Sequence, residues 1–379
     1  MRTQSWSWIG WFLPVFLVAP AGCGGGGGAE GDEYAEAIPS EEMLTLTFQD
    51  SVSSALTSEG AAVVGDPSRF QAQAREVMDG LNALFHETFA GVKLLMDSTT
   101  PEEKTFQGRT CKVWEGPGPK AYWQLSSCKS IGKGQASAFD FLLRGRPLDS
   151  TSEDDYRPVL AGVGTRLPPH QGHRRGVGRV GFNFDNLAAL TGDAIGGRLG
   201  VSYRAAGRAR HLVIALDHAF GLKNPEPFNG VYRYFHVLGQ GGRFSFVGFG
   251  DYVGTDAQGH LVPGEDGLKE LGRAVMGWRT NGSARTVVMV CGGTVDQVRG
   301  HPACVRIAQC WDANAHITFQ DVFGEGGDPI AWEKTACADI LFPIDDQIPG
   351  ESDTTPPAET EPTTGAPLGE EPMPMPEFE

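Results

Sequence analysis

Several places in this chain carry residue types that could do chemistry. Gly176, Gly178 and Gly181 spell G-x-G-x-x-G, the spacing that brings backbone N–H groups to a pyrophosphate when a strand precedes it and a helix follows. Here residues 170–175 are polar and 180–184 are strand-like, so a glycine-kinked strand is the reading adopted and no dinucleotide cofactor is expected. His170 and His173 could offer two imidazoles to a metal, but Pro168, Pro169 and Gly172 make the segment a surface loop. Asp217 with His218, and Asp312 beside Trp311, could share acid–base work, although a strand end wants polar residues anyway. No G-x-S-x-G elbow, H-E-x-x-H or P-loop occurs. Phe244, Phe246, Phe249 and Tyr252, interleaved with Gly248 and Gly250, could line a ligand cavity or fill a core where glycine lets large rings pack. None of this assigns a catalytic residue, a cofactor or a metal ligand.

The N-terminus carries a different chemistry. Arg2 is followed by residues 6–18, apolar apart from Ser7, and then by Ala19, Pro20, Ala21, Gly22 and Cys23. A charged start, a short apolar run and small residues before a cut describe a secretory signal; a spanning helix needs about 20 apolar residues. Ala21-Gly22-Cys23 resembles the small-small-Cys box of bacterial lipoproteins, with Pro20 where that family usually has Leu. The resemblance implies cleavage after residue 22, a diacylglyceryl group on Cys23 and tethering to a membrane, the outer membrane being favoured. An ordinary signal peptide cut nearby is the alternative.

Cysteine arithmetic agrees. Of seven cysteines, assigning Cys23 to lipid leaves Cys111, Cys128, Cys291, Cys304, Cys310 and Cys337. An even set in an exported chain reads as disulfides. Cys111 and Cys128 flank the Gly116–Pro119 turn and are expected to pair across a hairpin; Cys291–Cys304 and Cys310–Cys337 are the further expectations. No C-x-x-C pair supports zinc.

Net charge is −16, yet residues 24–50 hold seven acidic and no basic side chains, and 345–379 hold ten and none. Residues 51–344 are left with 30 of each sign, which gives no electrostatic case for nucleic acid. Five consecutive glycines after Cys23 followed by acids read as a flexible spacer over 23–50, and the Pro/Thr/Glu-rich 345–379 as a disordered tail.

Residues 51–344 can bury a sizeable core. Asp66 and Pro67 open a helix expected over 67–96, with an apolar stripe at Phe70, Val77, Leu81, Leu84, Val92 and Leu95. Strands are expected near 107–115, 120–128, 136–144 and 176–184, then hairpins at 231–251 and 304–323. Residues 197–217 and 272–292 repeat one another, 75 residues apart, each a strand, a tight turn and a second strand. Asn281-Gly282 signals a type I′ turn. The second strands are apolar on successive residues, so their outer face wants a cover.

The fold expected is mainly β (α+β): a meandering antiparallel β-barrel or half-barrel of hairpin repeats covered by the N-terminal helix. The function expected is a non-catalytic envelope lipoprotein binding a hydrophobic ligand or lipid. An envelope scaffold contacting another envelope protein is the alternative, and an exported hydrolase comes third.

Overall fold

The computed structural model describes residues 33–48, 64–65, 67–130, 138–170, 173–221, 224–255, 261–262 and 267–323. Two short helical turns come first, α1 (Glu33–Glu36) and α2 (Glu41–Leu44), then the long helix α3 (Arg69–Ser98). The first strands are β1 (Glu102–Phe106), β2 (Arg109–Pro117), β3 (Ala121–Lys129), β4 (Ala138–Pro147), β5 (Arg157–His170) and β6 (His173–Asn183). After helix α4 (Phe184–Thr191) come β7 (Gly196–Ala206), β8 (Ala209–Gly221), β9 (Asn224–Val237) and β10 (Gly241–Gly250). A two-residue ribbon, β11 (Gly254–Thr255) and β12 (Leu261–Val262), leads to β13 (Glu270–Arg279) and β14 (Ala284–Cys291). Helix α5 (Gly293–Arg299), β15 (Cys304–Trp311) and β16 (Ile317–Phe323) complete the described chain.

Fourteen of these strands form one antiparallel meander, ordered as in the sequence with the ribbon left out. Among the described residues β1 pairs only with β2, and β16 only with β15. The sheet is therefore open, which excludes the closed-barrel form of the expectation. Connections are short because consecutive strands are neighbours, and each turn solves its own local problem. Gly282 takes φ +88° while Asn281 stays out of the left-handed region, and Gly282 N–H donates to Arg279 O at 3.0 Å. The loop is thus a type I turn closed by a left-handed glycine, not the type I′ turn expected.

That turn has a consequence for the internal repeat. In the first copy Tyr203 faces Leu212 across β7 and β8, whereas in the second Trp278 faces Ala284. Matched residues of the second strands therefore land on opposite faces: Leu212 is fully buried, and its counterpart Val287 points outward. The repeat is real in sequence but is not carried through in register.

One face of the sheet is the core. Trp114, Leu125, Leu143, Leu160, Phe182, Leu199, Ile214, Tyr234, Phe244, Met276 and Val288 alternate inward along successive strands and are buried. On the outer face Val213, Val231, Val247, Val275 and Val287 are half-buried, and Val231, Val275 and Val287 stand two residues from Arg233, Arg273 and Arg285, whose aliphatic stems suit covering apolar surface.

Helix α3 runs unbroken through Gly80 and Gly91. Its N-cap is Ser68, which accepts from Gln71 N–H at 3.2 Å; Asp66, the expected cap, lies outside the described residues. Met78, Leu81, Phe85, Phe89, Val92 and Leu95 form its buried stripe, and Thr88, a break in that stripe, satisfies its hydroxyl on Leu84 O at 2.9 Å. Phe89 meets Phe182 edge-on at 6.0 Å, and Leu95 sits 3.5 Å from where a Cβ on Gly116 would lie.

Residues 33–48, expected within a flexible spacer over 23–50, instead pack on the core face. Ser127 donates to Tyr34 O at 3.0 Å, and Lys129 Nζ pairs with Glu33 at 3.0 Å. The Asn82 amide holds both backbone groups of Leu46, at 2.7 and 2.8 Å. Thr47 N–H donates to Tyr234 Oη at 2.7 Å, and Phe48 packs on Trp278 at 5.1 Å. Tyr34, Ile38, Met43, Leu44, Leu46 and Phe48 are buried, and that apolar surface outweighs the acidic composition around it.

Candidate functional site

The candidate site is an apolar cavity of about 60 Å³ between the N-terminal half of α3 and the core face of β9, β10, β13 and β14. Phe70, Gln73, Ala74 and Val77 supply its helix wall. Phe228, Tyr232, Phe244, Phe246 and Tyr252 supply an aromatic wall, and Ala274, Met276, Thr286 and Val288 close the rest.

The aromatic wall is one interlocked unit. Tyr232 and Phe246 lie 5.0 Å apart, Tyr232 and Phe244 5.8 Å, and Phe228 stacks on Phe246 at 6.0 Å. Tyr252 meets Phe246 edge-on at 6.2 Å. Glycine makes room for them: a Cβ at Gly272 would lie 2.5 Å from the Tyr252 ring, and one at Gly248 2.7 Å from Phe246.

Two of the hydroxyls around the cavity are committed to the backbone. The Tyr252 hydroxyl donates to Gly248 O at 3.1 Å and the Thr286 hydroxyl to Val275 O at 3.1 Å. Burial holds the Tyr232 phenol neutral far above neutral pH, and burial, Tyr232 and Glu270 do the same for Tyr252. Glu270, fully buried, accepts from Tyr252 N–H at 2.8 Å and from Thr294 N–H at 2.9 Å. Its carboxylate thereby caps the first turn of α5. This lining suits an apolar ligand, with neither acid–base nor nucleophilic groups converging on it.

The aromatic set read from the sequence is largely here: Phe244, Phe246 and Tyr252 line the cavity. Phe249, the fourth member, is 57% exposed on the outer face, since strand alternation turns it away from Phe246 and Gly248. Phe228, Tyr232 and the helix residues were missed, because they come from strands and a helix that the sequence does not align.

The other candidates are dispersed. Gly176, Gly178 and Gly181 lie inside β6, paired on both sides, and form no phosphate-binding turn. Gly176 admits Met43, and Gly178 the Tyr203 ring. His170 and His173 face one another in backbone register at the β5–β6 turn. His218 sits in a β-bulge at φ +48°, its Nδ1 2.6 Å from Asp217 Oδ1, with both side chains exposed. Asp312 builds a turn, accepting from Asn314 and His316 N–H at 2.8 and 3.0 Å. Among the described residues no three His, Cys, Asp or Glu side chains come together as a metal site.

Cys111–Cys128 and Cys291–Cys304 are disulfides between directly opposed residues, with Cα–Cα distances of 4.0 and 4.1 Å. They indicate an oxidising compartment. Cys310 is also disulfide-bonded; Cys337, its expected partner, and Cys23, the expected lipidation site, lie outside the described residues. No described helix is long and apolar enough to cross a membrane.

No protein-family model, no curated protein and no solved structure matches this chain.

Proposed function

We propose that this protein is a non-catalytic envelope lipoprotein that holds a hydrophobic ligand, such as a lipid acyl chain, between α3 and the aromatic wall of β9, β10, β13 and β14. The observation that carries the reading is the cavity itself, lined mostly by apolar and aromatic side chains, with the Tyr252 and Thr286 hydroxyls bonded to backbone carbonyls. At about 60 Å³ it is smaller than the roughly 150 Å³ apolar cavities that take up benzene. A chain of any length enters by parting α3 from the sheet, which makes α3 a cover over a half-barrel. Each methylene buried there contributes about 0.8 kcal/mol.

The tether belongs to the same reading. Lipid on Cys23 holds the domain at the outer membrane, and Glu33 is already fixed at Lys129. Residues 24–32 then span about 15–18 Å as a Gly-rich coil.

The test is uptake of N-phenyl-1-naphthylamine, with native mass spectrometry for lipid retained through purification. Ala274→Phe, which fills the cavity, should weaken uptake about tenfold, the equivalent of losing two buried methylenes, without lowering the melting temperature. A wild-type protein that takes up no apolar probe and carries no lipid sinks the ligand reading. Membrane partitioning that persists in Cys23→Ser sinks the tether.

A further inference from the structure

Eight neighbouring strands, β6–β10 and β13–β15, carry eleven arginines and no lysine among their described side chains, against two carboxylates. One carboxylate, Glu270, is buried on the core face, and the other, Asp217, pairs with His218. Alternation with the core residues turns Arg179, Arg204, Arg233, Arg273 and Arg306 outward, while Arg285 lies on the same side but is buried. Register joins them into rows: Arg204 lies opposite His211, and Arg273 opposite Met289, which lies opposite Arg306. The His211 imidazole senses this field, since partial burial, Arg204 and Arg233 all lower its pKa. The balance of charge over residues 51–344 therefore conceals a basic face.

The same chain carries the complementary charge. Residues 345–379 hold ten carboxylates and no basic side chain. We propose that this acidic tail docks on the arginine face of its own sheet.

Where the tail begins supports it. Cys310 lies in register opposite Arg285 on the outer side of the sheet, both of them buried, and it is disulfide-bonded. With Cys337 as its expected partner, the tail would start eight residues beyond a point held on that face. Reach is ample: seven strand spacings from β15 to β6 span about 34 Å, and 35 extended residues cover on the order of 100 Å. Arginine, rather than lysine, suits this task, because its planar fork meets a carboxylate bidentately. Each exposed pair contributes little, so binding rests on their number and is lost in salt.

The purified full chain is compared with one ending at residue 344, both of the same melting temperature, by phenylglyoxal labelling and peptide mass spectrometry. In the full chain Arg179, Arg204 and Arg233 should react severalfold more slowly. The difference should vanish at about 0.5 M NaCl, where the Debye length is about 4 Å. A synthetic 345–379 peptide should restore protection to the shortened chain. Arg204→Glu with Arg233→Glu should abolish peptide binding, while Arg204→Lys with Arg233→Lys should keep part of it. Equal reactivity of the two chains at low salt overturns the proposal, as does peptide binding that survives charge reversal. If heparin or phosphatidylglycerol vesicles bind both chains equally well, the face belongs to an external polyanion and the tail is not its occupant.

Discussion

His236 lies on the core face, stacked on Trp278 with ring centroids 6.3 Å apart. Burial and the nearby Arg210 lower its pKa, while burial, Arg204 and Arg233 lower that of His211. Both rings are thus held neutral in the fold at pH values where the unfolded chain begins to take up protons, near 6.5. Below that pH the unfolded state binds more protons, so stability falls as pH drops from about 6.5 toward the folded values, and nothing is lost at higher pH. Thermal melts between pH 7.5 and 5 should show this decline, and His236→Gln should flatten it. A slope unchanged by His236→Gln would remove that residue from the account. At this scale the sequence is readable where chemistry is local. The three aromatics of β10 and its flank stand out by composition, but their partner Tyr232 comes from another strand and Val77 from a helix. Phe249 belongs to the same aromatic run but faces outward, because a strand alternates its side chains with a period of two.

At the scale of elements, the cross-strand disulfides test how the meander is held at its flanks. The Cys291–Cys304 bridge joins β14 to β15 across α5, closing a loop of 13 residues' separation, and such a loop is worth about 3 kcal/mol. Cys291→Ser with Cys304→Ser should lose about that much in a urea melt under non-reducing conditions; a loss below ~1 kcal/mol would mean that α5 and its Glu270 cap already fix the loop. Gly178→Val should be comparably harmful, since a Cβ there would lie 2.3 Å from Val163 O and 2.5 Å from Tyr203 Oη. Unaltered melting of that variant would show that β5 and β6 can separate. Hairpins were legible because turn chemistry and strand alternation are short-range signals. The docking of residues 33–48 was not, since seven acids over 24–50 obscured apolar residues whose partners, Asn82, Phe139, Tyr234 and Trp278, are distant in sequence. Register of the repeat was also hidden, because it depends on whether Asn281 adopts positive φ, and it does not.

Across the described residues the molecule is one open sheet, with edges at β1 and β16 to protect. An edge strand offers unpaired N–H and C=O groups to any other strand, and charge on it discourages that pairing. The strand β1 meets this need with Glu102, Glu103 and Lys104 in five residues, four of them exposed. Lys104 is held there by Glu115 and Glu102, at 3.0 and 3.2 Å, and hydrogen bonding to Glu115 dominates the factors that raise its pKa. Sequence composition alone did not mark this strand, since short charged segments read as loops until their neighbour is known. Its pairing with β2 makes the charges an edge device, because Glu103 and Glu102 lie opposite Lys112 and Val113. Glu102→Val with Glu103→Val leaves the Lys104–Glu115 pair in place while giving the edge a β-branched, uncharged character. That variant should melt near the wild-type temperature yet scatter more light as concentration rises, with mass shifting to dimers and larger species in analytical ultracentrifugation. If it stays at the wild-type mass, β1 is not the edge that needs protecting, and the burden passes to β16.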